Sequence, residues 1–126
     1  FDNNLNYNNN LRVYRVAEAY LNAAELLLET GGDAGLAKEY VNKIRRRAGI
    51  AELGAVTLDG VINERRLEFV GEGKRYFDLV RTGKAATVLV PDSYGYRTNS
   101  LTESKNYIPI AQAELDSDPA LVQNNY

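Results

Sequence analysis

The chain has 126 residues, enough for one domain that buries roughly two thirds of its unfolded surface. Fifteen Lys and Arg stand against 17 Asp and Glu, a net charge of -2 that lacks the basic footprint of a nucleic-acid binder. Cysteine and histidine are both absent, which excludes a disulfide framework, thiolate zinc sites, a cysteine nucleophile, Ser-His-Asp arrangements and the commonest metal ligand, and leaves catalysis to carboxylates, lysine or tyrosine.

Residues 1–11 read as a lead-in loop, with six asparagines in the first ten positions whose amides compete for nearby backbone groups. From Leu11, apolar residues at Val13, Val16, Ala17, Tyr20, Leu21, Ala24, Leu27 and Leu28 keep helical spacing up to Thr30, where Gly31-Gly32 closes the helix. Asp33 is placed to cap a second helix with apolar positions Leu36, Ala37, Tyr40, Val41, Ile44 and Ala48, stopped by Gly49. The short connection makes residues 12–49 a helical hairpin. Its small residues Ala17, Ala24 and Ala37 allow close approach, with Tyr20, Tyr40 and Val41 filling the space, as in one tetratricopeptide-type unit. The basic run Lys43, Arg45, Arg46 and Arg47 falls in the last turns, where it complements the helix dipole; this reading as a solvated face is preferred to phosphate binding.

Residues 57–84 are predicted to hold two further helices, the third capped by Thr57 and the fourth running from Lys74 to Thr82. On the third, Leu58, Val61, Ile62 and Phe69 form the apolar stripe, and Arg65 lies on that stripe between Glu64 and Glu68. Charges on a packed face must be paired, and Arg75, Asp78 and Arg81 on the fourth helix are the expected partners. Beyond Ala85 the helical period is lost: Pro91, Asp92, Ser93, Gly95, Asn99 and Ser100 punctuate an irregular tail over 85–126, with a turn of helix at Ala111 to Leu115. No apolar run approaches the roughly 20 residues of a membrane span, and the first residues carry no signal-peptide pattern.

Three ordered segments carry a resemblance: RVAEAYLNAAE at 15–25, VNKIRRRAG at 41–49 and ERRLEFVGEGKRYFDLVRTGK at 64–84. Together with Ile108-Pro109-Ile110 and Gln123-Asn124-Asn125-Tyr126 they resemble, in order, the C-terminal region of the SusD/RagB family of outer-membrane nutrient-binding lipoproteins. Departures are small: Ile50 and a short insert follow Ala48-Gly49, and Asn125 stands where a glycine is common. The resemblance implies an all-α fold, a tetratricopeptide-like hairpin plus two further helices and a long irregular C-terminal segment, as a fragment of a SusD-like α-α superhelix. It implies a non-enzymatic protein with no cofactor and no metal, which captures oligosaccharides on the outer face of the outer membrane and yields them to a TonB-dependent, SusC-like transporter. The membrane would be met only through an N-terminal lipid whose lipobox is absent from this chain, so the chain is expected to be a piece of something longer.

Two sets of residues are candidates for chemistry. Glu64, Arg65, Glu68, Arg75, Asp78 and Arg81 fit either a paired-carboxylate glycosidase site or a structural ion network. The second is preferred, because two carboxylates on one helix face amid arginines suit ion pairing and do not flank a cleft. Tyr94, Tyr96, Arg97, Asn99 and Tyr107 are the nominated ligand contacts, since tyrosine offers both a stacking face and a hydroxyl to a sugar; packing of this loop onto the body is the competing and preferred reading. Asp116 and Asp118, near Glu114, lack the alternating ligand loop of a calcium site and read as caps or solvated groups. The alternative to glycan capture is a helical-repeat protein-interaction module with no ligand of its own.

Overall fold

A computed structural model describes residues 13–124. The lead-in loop expected over 1–11, Arg12 and the closing Asn125-Tyr126 lie outside the described residues. Within them all regular structure is helical, as expected: α1 (Val16–Glu29), α2 (Ala34–Ala48), α3 (Leu58–Glu68), α4 (Arg75–Arg81), α5 (Ala85–Val88), a 3-10 turn (Glu103–Asn106) and α6 (Gln112–Ser117). No helix among the described residues is long and apolar enough to cross a membrane. The chain divides into two compact units between Val70 and Gly71, where length alone suggested one. The break falls where Gly71 and Gly73 turn the backbone through positive φ, at 79° and 70°.

In the first unit α1 packs against α2 and α3. The core holds Leu21, Val41 and Val61 with Ala17, Ala24, Ala37, Ile44 and Phe69, and Tyr20 and Tyr40 close its edge with ring centroids 5.4 Å apart. The alanines expected to permit close helix approach are therefore all in the core. Five residues expected on apolar faces are exposed: Val13, Val16, Leu36, Ala48 and Leu58. Val13 precedes α1, whose N-cap is the extended Arg15. Val16 lies about 140° round the helix from Leu21, at 100° per residue, and Leu36 and Leu58 sit in first turns.

Capping fixes these boundaries. Asp33 Oδ1 accepts from the N–H groups of Gly35 at 2.8 Å and Leu36 at 3.0 Å, and Thr57 Oγ1 accepts from Gly60 N–H at 3.1 Å. Gly49 closes α2 with φ 71°, a conformation that costs glycine no Cβ clash. It donates to Arg46 O and Ile50 donates to Arg45 O, the paired bonds of a Schellman motif.

The connection from α2 to α3 is held by an amide. Buried Asn42 donates from Nδ2 to Leu53 O at 3.0 Å and accepts from Leu53 N–H at 2.8 Å, standing in for a strand partner. The second unit uses the same device in its tail, where Gln123 accepts from Ile110 N–H and donates to Ile110 O, both at 3.0 Å. Elsewhere in that unit Leu79 and Ala85 are buried, and Tyr76 Oη donates to Lys105 O at 2.9 Å, tying the 3-10 turn to α4. The stretch 85–126, read as irregular apart from one turn, thus carries α5, the 3-10 turn and α6; the turn expected at 111–115 is α6.

Replacing Asn42 by Leu removes both bonds and strands a buried backbone pair, so urea denaturation is expected to show a loss of about 1–3 kcal/mol. Gln123→Leu removes the same pair from an exposed site, where water replaces it, and is expected to cost less than about 1 kcal/mol.

Candidate functional site

Three charged side chains of α3, those of Glu64, Arg65 and Glu68, are buried, with partners from upstream, whereas Asp59 and Arg66 are exposed. Glu64 is 5% exposed and accepts from Arg45 Nη1 at 2.8 Å, while Arg45 Nε donates to Ala51 O at 2.7 Å. Glu68 accepts from Arg15 Nη1 and from Arg47 Nη2, the latter at 2.7 Å to Oε2, and Arg15 Nη2 also donates to the Glu68 carbonyl at 2.7 Å. The pairing expected from Arg75 and Arg81 is therefore met by Arg45, Arg15 and Arg47. The reason is the hairpin, which returns the basic end of α2 to the start of α1 and places it beside α3.

Arg65 is 5% exposed. It donates to Asn22 Oδ1, has the Glu18 carboxylate 3.9 Å away, and lies over the Phe69 ring at 5.4 Å from its centroid, with Arg15 over the same ring at 4.7 Å. The basic run is correspondingly more than a solvated face. Besides Arg45 and Arg47, Lys43 Nζ sits 4.9 Å from the centre of the Tyr20 ring, and Arg46 bridges Glu39 and Glu52. Those two carboxylates, Glu39 more strongly, raise the Arg46 pKa further above its ordinary value, so its charge is permanent.

On α4, Asp78 is buried and accepts from Arg81 Nε at 3.0 Å and Nη2 at 2.7 Å. Arg75 keeps one buried Nη1 without a hydrogen-bond partner. Chemically, the carboxylates of Glu64 and Glu68 are both taken up by guanidinium groups, an arrangement that holds helices together.

The nominated ligand segment has a different character. The loop 89–101 is closed at its neck by Leu101 N–H donating to Leu89 O at 3.1 Å and nearer its tip by Asp92 N–H donating to Arg97 O at 3.1 Å. The Asp92 carboxylate organises the tip: Oδ1 accepts from the N–H groups of Tyr94 at 2.8 Å and Tyr96 at 3.2 Å, and Oδ2 from Arg97 N–H at 2.8 Å. Burial pushes the Asp92 pKa up, but the N–H groups of Tyr94, Arg97, Tyr96 and Gly95 outweigh it and hold the carboxyl below its ordinary value of 3.8.

Tyr94 and Tyr96 are 83% and 92% exposed, with ring centroids 6.3 Å apart and planes 35° apart. The preferred expectation, that this loop packs its tyrosines onto the body, is overturned. Asp92 satisfies the tip internally, and the rings are turned to solvent. Arg97 and Asn99 are also exposed. Tyr107, 71% exposed, caps the end of the 3-10 turn. Asp92 was missed as an organiser, although a Pro-Asp-x-x-Gly segment is a turn signature that could have flagged it. Asp116 accepts from Gln112 Nε2 at 2.7 Å and Asp118 from Ala120 N–H at 2.9 Å, and no cluster suited to a metal occurs among the described residues.

The sequence profile of the SusD family matches residues 1–126. The chain belongs to the SusD family. As a SusD-family chain it is similar to surface glycan-binding protein A from Bacteroides uniformis, with 65% identity and a TM-score of 0.88 over 94% of this chain and 28% of that one. It is also similar to surface glycan-binding protein A from Bacteroides thetaiotaomicron in complex with laminarihexaose, with 60% identity and a TM-score of 0.85 over 96% of this chain and 26% of that one. The starch-binding protein SusD of Bacteroides thetaiotaomicron is 34% identical over 116 residues, 89% of this chain and 20% of its own length. This SusD-family chain thus spans about a fifth to a quarter of the length of the curated relatives it matches.

Two outcomes follow from these sites. Glu64→Gln leaves Arg45 without its buried counter-charge and is expected to lower stability by about 3 kcal/mol, whereas Glu39→Ala, at the surface, is expected to leave the melting temperature nearly unchanged; equal effects in calorimetry would refute the assignment. Because the folded Asp92 pKa is depressed, the order it confers is complete above its ordinary value and is lost as pH falls through the lowered one. Amide resonances of Tyr94, Tyr96 and Arg97 should move with a midpoint below the ordinary Asp value of 3.8.

Proposed function

We propose that this chain is part of a cell-surface protein that captures oligosaccharides at the outer face of the outer membrane and passes them to a TonB-dependent, SusC-like transporter. The observation that carries the reading is the 60% identity, across nearly the whole chain, to a surface glycan-binding protein whose structure holds laminarihexaose. A binding role without catalysis is supported by the chemistry of the two candidate sites. The glutamates that a glycosidase would need are committed to arginines, whereas the exposed groups are tyrosines, an arginine and an asparagine, which can hold a sugar but not cleave one. Attachment to the membrane through a lipid, and delivery to the transporter, rest on family membership.

A second reading, a helical module that binds protein and no sugar, is favoured by one feature of the first unit. Val13, Tyr14 and Val16 are exposed together beside a groove of about 250 Å³ lined by Arg15, Tyr20, Lys43, Ile44 and Arg47. An apolar floor with a cationic rim suits a protein surface.

Affinity gel electrophoresis of this chain through laminarin, starch and an inert control glycan separates the two. Retardation by laminarin or starch relative to the control is the expected result. Free migration in every glycan, combined with self-association in sedimentation, would instead support the interaction module.

A further inference from the structure

We infer that the tip of the loop 89–101 is a glycan contact in its own right, with Tyr94 and Tyr96 as a stacking platform for an oligosaccharide and with Arg97 and Asn99 as hydrogen-bond donors to its hydroxyls. The inference rests on the glycan-capture reading and deepens it by placing a sugar contact within these residues.

The folded chain has no use of its own for the two rings. At 83% and 92% exposure they bury almost nothing, so they add little to stability, yet large aromatic side chains side by side in water are costly to display. Their setting is rigid. The neck bond from Leu101 to Leu89, the bond from Asp92 to Arg97, and three further N–H bonds to the Asp92 carboxylate fix the backbone that carries them. A platform already held in shape loses little conformational entropy on binding, which is the main cost a loop otherwise pays for a weak, shallow ligand.

Geometry and charge narrow the ligand. Ring centroids 6.3 Å apart with planes only 35° apart present two similarly oriented faces, so that successive rings of an extended chain can each meet one. The lone pairs of Asp92 are engaged by backbone N–H groups, which removes the nearest carboxylate as a partner for a cation. Arg97 makes one long bond, from Nη1 to Val90 O at 3.5 Å, and keeps donors in solvent; Asn99 adds an exposed amide. Flat aromatic faces with hydroxyl-directed donors and no carboxylate left open match a sugar better than a cationic peptide.

Laminarihexaose is the probe, titrated calorimetrically into the wild-type chain and three variants. Replacing both tyrosines, Tyr94→Ala with Tyr96→Ala, is expected to weaken binding at least about tenfold with an unchanged melting temperature, because exposed rings contribute stacking and not folding. Replacing both by phenylalanine keeps the faces and should retain affinity within about threefold. Asp92→Ala keeps both rings but frees the loop, and should weaken binding through a less favourable entropy. Wild-type binding that survives the double alanine change unaltered overturns the platform and leaves the glycan-capture reading standing. No binding of laminarihexaose by the wild type also overturns the platform, and retention or free migration in the laminarin and starch gels then decides the broader reading separately.

Discussion

The first unit depends on how α3 buries charge. Its inner face carries Glu64 and Arg65, each 5% exposed, and a helix cannot dock such a face on a hydrocarbon core without counter-charges in place. They are supplied by the hairpin before it: Arg45 for Glu64, Arg15 and Arg47 for Glu68, and Asn22 with Glu18 for Arg65. Every one of these groups is delivered by α1, its N-cap or α2, so α3 can seat only on a hairpin that is in register. Ion pairs of this kind are a poor source of net stability, but removing one member is severe, and they discriminate strongly against a shifted helix. The basic end of α2 is therefore a docking element for α3, and the dipole gain that placement in the last turn provides is secondary.

A second theme is the use of side-chain amides and carboxylates as substitute backbone. Asn42 with Leu53, Gln123 with Ile110, and Asp92 with Tyr94, Tyr96 and Arg97 each satisfy main-chain groups in segments that have neither helix nor sheet. An all-helical protein with long connections has no ladders to absorb those groups, and a connection left unsatisfied would be costly wherever it is shielded from water. The three differ in exposure, and so in consequence. At Asn42 the pair is buried and acts on stability, whereas at Asp92 it lies at the surface and acts on the shape of a loop.

Much of this was legible in the residues themselves. The 3.6 period set α1 to α4, glycines and capping side chains set their ends, and the position of Arg65 on an apolar stripe announced a buried network. What local pattern could not show was which arginines complete it. Arg75 and Arg81 are near α3 along the chain, but Arg15 and Arg47 reach Glu68 only because the hairpin folds back, across 53 and 21 positions of sequence. Val13 and Val16 misled for a related reason: they keep the period of α1 while lying outside the helix or off its inner face. The exposure of Tyr94 and Tyr96 was equally hidden, since a tyrosine in a loop reads alike whether it packs or projects. Asp92 decides between the two, through hydrogen bonds to residues two to five positions ahead.

The two units therefore divide their polar chemistry. In the first, Glu64, Arg65 and Glu68 of α3 are turned inward and paired with groups of α1, its N-cap and α2, so ligand recognition there would have to break pairs on which folding relies. In the loop of the second, the one carboxylate is occupied by backbone amides and the aromatic and donor groups are left to solvent. A binding surface is most easily built where no structural contact has to be given up, and in this chain that condition is met by the tip around Tyr94 and Tyr96.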